Sequence, residues 1–73
     1  MNGLIFNNVK KALMEGPCEI RFKSLTSGRE IIGVYRDAGI NQSDGTKILC
    51  MDTVSERYED IDLETIISIK RLF

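Results

Sequence analysis

The sequence predicts a mainly β fold: a short N-terminal α-helix followed by a strongly bent, five-stranded antiparallel small barrel. Three observations lead there. Apolar residues recur at helical spacing before Pro17. After it they alternate, or run in blocks of strand length between tight turn signals. One of those blocks carries a glycine, Gly33, in its middle.

The helix is predicted over about 4–15. Ile5, Val9, Ala12 and Leu13 form an i, i+4, i+7, i+8 stripe, while Lys10, Lys11 and Glu15 fall on other faces. Asn7 or Asn8 suits the cap of a short helix, and Asn2 that of a longer one. Gly16 suits the left-handed position that ends a helix, and Pro17 cannot continue one. The apolar stripe is expected to join the core by covering an open end of the barrel.

Cys18 to Lys23 alternates without error, with Cys18, Ile20 and Phe22 on one face and Glu19, Arg21 and Lys23 on the other. Thr26-Ser27-Gly28 reads as a tight turn. The second strand, Arg29 to Asp37, is apolar on both faces through Ile31, Ile32, Val34 and Tyr35. A glycine inside a strand marks a bend or bulge, so Gly33 predicts a long strand shared by two sides of the barrel. Gly39 to Thr46 is a polar loop, with Asp44-Gly45 as its turn signal. Lys47 to Asp52 is a third strand and Thr53-Val54-Ser55 a tight connection. Glu56 to Ile61 is a fourth strand, more polar and so more exposed. Asp62 caps one short helical turn through Thr65. Ile66 to Leu72 is the fifth strand. Leu72 and Phe73 are expected to pack on the helix or to join an interface.

The chain of 73 residues is enough for one domain with a modest core, which makes self-association a natural expectation. Its net charge of -1 favours neither nucleic acid nor membrane. The charge is polarised, however. Residues 1–36 hold six bases and three acids, net +3, and residues 37–73 hold four bases and eight acids, net -4. Cys18 and Cys50 lie 32 positions apart, matching neither a redox pair nor a metal-ligand spacing, and read as buried free thiols with a disulfide as the alternative. No apolar run approaches the roughly 18 residues of a membrane span, and the N-terminus lacks a basic segment before its apolar residues. A cytoplasmic location is expected.

Once placed on this plan, several segments resemble the Sm-like barrels, the family of the bacterial RNA chaperone Hfq. Pro17-Cys18-Glu19-Ile20 resembles that family's first strand after the helix. Ser27 to Gly33 is similar to its first turn and bent second strand, Lys47 to Ser55 to its third strand and following turn, and Ile66 to Ile69 to its last strand. The resemblance implies a ring that binds RNA. Where that family places Tyr-Lys-His, with a basic pair on RNA, this chain has Tyr58-Glu59-Asp60, so the charge is reversed. The Arg-Gly step of other Sm-like proteins is absent too. The turn at Leu63-Glu64-Thr65 is commoner in SH3-type barrels, and the chain is also similar to small SH3-like barrel proteins of tailed bacteriophages.

The chain has no histidine, which removes Ser/His and Cys/His catalysis and the commonest transition-metal ligand. No glycine-rich phosphate loop occurs. Glu59, Asp60, Asp62 and Glu64 are close in sequence, but their spacing matches no calcium loop. No catalysis, cofactor, metal or small-molecule substrate is expected. The leading expectation is a non-catalytic binding module that acts through protein contacts, of the phage accessory or regulatory kind. Its protein-binding residues are Tyr58, Glu59, Asp60, Asp62 and Glu64, and its partner is another protein or a second copy. The alternative is an Sm-like ring binding RNA or single-stranded nucleic acid through Arg21, Lys23, Arg29 and Arg36, with Tyr35 or Phe6 as a stacking surface and Lys10-Lys11 extending the patch.

Overall fold

In the computed structural model, residues 2–39 and 46–73 are described, with side chains described from residue 7 onward. The polar loop predicted at 39–46, with its Asp44-Gly45 turn, falls almost wholly outside them. The elements run α1 (Asn2–Glu15), β1 (Cys18–Lys23), β2 (Glu30–Asp37), β3 (Lys47–Asp52), β4 (Tyr58–Asp62), a 3-10 turn η1 (Leu63–Thr65) and β5 (Ile66–Arg71). The fold is mainly β, with an N-terminal helix and an antiparallel five-stranded sheet ordered β4-β3-β2-β1-β5. The sheet is not closed, so the predicted barrel holds in its strands and describes the sheet only loosely. β4 and β5 remain as edges. No helix among the described residues is long and apolar enough to cross a membrane.

The helix begins two residues earlier than predicted, at Asn2. Val9, Ala12 and Leu13 are buried as the stripe requires, while the Ile5 side chain lies outside the described set. Lys10 is not part of a free basic patch, because it pairs with Asp37 at the end of β2. The helix therefore lies across β2 and is tied there by both apolar burial and a part-buried ion pair.

β1 alternates as expected, with Cys18, Ile20 and Phe22 buried. Its turn into β2 depends on Gly28, whose φ of 72° is a left-handed conformation that a side chain resists. Gly28 N–H donates to Ser24 C=O at 2.9 Å, and Ser24 N–H donates to Arg29 C=O at 2.8 Å.

β2 is the shared strand. It pairs with β1 from Glu30 to Tyr35, then with β3 from Tyr35 to Asp37. Gly33 carries no bulge, since the register with β1 runs through Ile20↔Gly33 unbroken. Its function is close approach. A Cβ at Gly33 would stand 2.8 Å from three atoms of the Tyr35 side chain. That ring reaches back along the strand towards Phe22, with centroids 6.2 Å apart and planes tilted by 58°. Nor is β2 buried on both faces. Tyr35 is 2% exposed, but Ile32 is 52% exposed, because β3 does not extend alongside it. A buried Tyr35 also cannot serve as a stacking platform; the Phe6 side chain lies outside the described set.

Gly16 is not left-handed; among the described residues only Gly28, Gly39 and Glu56 have positive φ. Gly16 instead makes room for Phe73, whose ring would stand 2.6 Å from an added Cβ. Leu72 N–H donates to Pro17 C=O at 3.2 Å, and Arg71 sits 5.9 Å from the centre of the Phe73 ring while pairing with Glu15 at 2.9 Å. The chain end thus packs against the helix end. β4 starts at Tyr58 rather than Glu56, because Glu56, with φ 58°, forms the turn. β2 likewise starts one residue later and β5 stops one residue earlier than predicted. Asp62 caps η1 as predicted, accepting from Glu64 N–H at 2.9 Å.

The two glycines should respond differently to alanine. Gly33→Ala forces the buried Tyr35 ring off Phe22 and is expected to cost about 1–3 kcal/mol, as overpacking does. Gly16→Ala meets a ring that is 59% exposed at the chain end and free to swing away, so it should cost under about 1 kcal/mol. Urea unfolding of both variants measures the difference; equal losses would contradict the Tyr35 packing.

Candidate functional site

The acidic segment occupies the open β4 edge and the turn that follows it. All five β4 residues hold regular register with β3, from Met51↔Tyr58 to Lys47↔Asp62. Strand alternation therefore divides the acids. Tyr58, Asp60 and Asp62 share the face of Met51, Leu49 and Lys47, whereas Glu59 and Ile61 share the face of Cys50 and Ile48. Tyr58, Glu59 and Asp60 are exposed. Asp62 is half-buried and occupied as the η1 cap, so its role is local structure. Glu64 is exposed on η1. The structure thus gathers Tyr58, Glu59 and Asp60 on one strand and sets Glu64 one turn beyond.

The cation positions are split. Arg21 and Lys23 are two residues apart on β1, and Arg29 closes the adjoining turn, so these three share one end of the β1–β2 hairpin. Lys23 faces Glu30 in register. Arg36 lies six residues beyond Glu30, about 20 Å along an extended strand, and donates to Met51 Sδ at 3.3 Å. It is not part of that group.

Two adjoining grooves lie beside the acidic edge. One, of about 220 Å³, runs along Glu59–Asp62 and is walled opposite by Lys23, Leu25 and Thr26, with Phe22, Ile31 and Ile61 among its apolar lining. The other, of about 420 Å³, lies between Leu25 and the start of β5, at Ile66 and Ile67. Leu25 lines both and is 75% exposed. No sequence motif marks it. Its one signal is a large apolar side chain within an otherwise polar turn, Ser24 to Gly28.

Cys18 and Cys50 are both free and buried. The Cys18 thiol donates to Gly16 C=O and that of Cys50 to Glu59 C=O, each at 3.6 Å. Burial pushes the Cys50 thiol up to about 12, with the Glu59 carboxylate adding to the rise. Burial also raises Cys18. Tyr35 is pushed up to about 12 by burial, then by Glu59. Glu59 thus acts electrostatically on the inner side of the sheet as well as at its edge. No group of three or more acids or thiols among the described residues is placed to hold a metal ion.

No family model matches the chain, and no curated protein or solved structure matches it. Function rests on the site itself.

Alkaline pH tests the inward reach of Glu59. Tyr35 has a folded pKa of about 12 against an ordinary 10.0, and Cys50 about 12 against 9.0. The unfolded chain releases both protons first, so it holds fewer protons through this window. Stability is therefore full below about pH 9 and falls as pH rises towards 12. Glu59→Gln lowers both folded values, so its loss should be smaller than the parent's as pH approaches 12, read from urea midpoints. An unchanged loss would place Glu59 away from both groups.

Proposed function

We propose that the chain is a non-catalytic binding module that acts through protein contacts, with the acidic β4 edge as its working surface. One observation carries this reading: β4 is a regular edge strand with Tyr58, Glu59 and Asp60 exposed beside a groove of mixed polar and apolar lining. An open edge strand is a template for pairing with another chain. Tyr58, 55% exposed, adds an amphipathic ring of the kind enriched at interfaces. Two buried free thiols fit a reducing compartment and so support a cytoplasmic location in this reading.

A second reading, binding of RNA or single-stranded nucleic acid, is favoured by one feature: Arg21, Lys23 and Arg29 share the hairpin end. Glu30 opposite Lys23 dilutes that patch.

Affinity capture separates the two. Glu59→Lys with Asp60→Lys reverses the edge charge and leaves the Asp62 cap intact. The double variant should lose proteins that the parent retains from lysate, while Arg21→Glu with Arg29→Glu should retain them. Loss only with the arginine variant, together with a gel shift of single-stranded RNA that weakens steeply with salt, would favour the second reading.

A further inference from the structure

We propose that the groove beside β4 is a docking site for an extended, basic segment of a partner protein, which adds to β4 as a sixth strand and seats one large apolar side chain against Ile31 and Leu25, the exposed apolar residues of its lining. The inference rests on the protein-contact reading above and names the chemistry of the partner.

The backbone supplies the first part. β4 pairs with β3 along its whole length, without a bulge, and has no strand on its other side among the described residues. Alternate residues of such an edge direct N–H and C=O outward, ready for a ladder. The groove runs beside Glu59, Asp60, Ile61 and Asp62 in succession, so an added strand would lie in it.

The groove supplies the second part. Its volume of about 220 Å³ exceeds the ~150 Å³ of an apolar cavity that holds benzene. One large apolar side chain therefore fits. Leu25, exposed at the turn opposite, is placed to cover it.

Charge supplies the third. Lys23 and Lys47 also line the groove, but each faces an acid in register, Glu30 and Asp62. Glu59 and Asp60 face Cys50 and Leu49 and form no ion pair among the described residues. The lining sets three carboxylates, Glu59, Asp60 and Asp62, against two ammonium groups, Lys23 and Lys47, so the groove is net negative and favours a basic segment.

A second copy offers β5 as its free edge, and that edge is ill-suited. Between Arg21↔Ser68 and Phe22↔Ile66 the register slips, leaving Ile67 as an extra, bulged residue. Bulges twist an edge away from pairing. Arg71 on β5 is also engaged by Glu15 and Phe73. A separate segment fits better than another copy.

The test uses the full chain, labelled with ¹⁵N, and a blocked peptide Lys-Arg-Leu-Arg-Val-Lys. Amide shifts should concentrate at Tyr58–Asp62, Leu25 and Ile31. Replacing the peptide leucine by glycine should weaken binding about tenfold or more, as should Glu59→Lys with Asp60→Lys in the protein. Equal binding of the glycine peptide, or shifts elsewhere, would overturn the proposal, because charge alone would then explain the contact. Shifts at the same residues on dilution without peptide would also overturn it, by showing a second copy in the groove. If the peptide fails to bind while lysate partners are still lost on charge reversal, the segment chemistry is wrong and the protein-contact reading stands. If charge reversal loses no partners either, both fall.

Discussion

The Tyr35 ring lying on Gly33 is the contact on which the rest of this sheet depends. Tyr35 is the one β2 residue in register with both neighbours, Cys18 on β1 and Asp52 on β3. At that point the strand passes from one half of the sheet to the other, and its side chain must fill the space between them. It does so by reaching back across Gly33 to Phe22. Close-packed interiors leave little room for a methyl group at such a place. The glycine lets the ring lie flat, and the ring holds β1 and β3 to one core. Thr53 reinforces the junction, donating from its N–H and its hydroxyl to Val34 C=O at 3.0 and 2.9 Å.

The sheet that results has two edges of different character. On β5 the bulge at Ile67 and the packing of Arg71 and Phe73 on the helix end keep the strand occupied with its own chain. On β4 the ladder is regular and the defence is charge alone, through Glu59 and Asp60. Acidic side chains on an edge discourage indiscriminate pairing and admit a partner of opposite sign. The polarity seen along the sequence thus becomes a difference between faces. Two of the six bases of the basic half have an acid beside them, Lys10 paired with Asp37 from the acidic half and Lys23 in register with Glu30, while Glu59 and Asp60 of β4 are exposed.

Features set by near neighbours were legible. The alternation of Cys18 to Lys23, the Gly28 turn and the Asp62 cap each involve residues only a few positions apart, and each appears where it was expected. Features with a distant cause were not. Gly16 looked like a helix terminator with a left-handed backbone, but its smallness serves Phe73, at the other end of the chain. Ile31 and Ile32 looked buried, yet β3 covers only the last three residues of β2 and leaves them exposed. The acids of the candidate site were legible as a run, but not their division between two faces, nor the occupation of Asp62 by its own turn.

By itself the sequence determined the helix, the five strands, their order along the chain and the acidity of the fourth. Those follow from periodicity and from local hydrogen-bonding preferences that act within a few residues. Only the tertiary structure decided that the sheet stays open, that β4 and β5 become its edges, and that Leu25 stands beside the acidic strand to form a groove. Those outcomes depend on how far each strand overlaps its neighbour and on how the sheet curls over Phe22 and Tyr35. Such overlaps are set by packing between residues distant in sequence, and no local pattern encodes them.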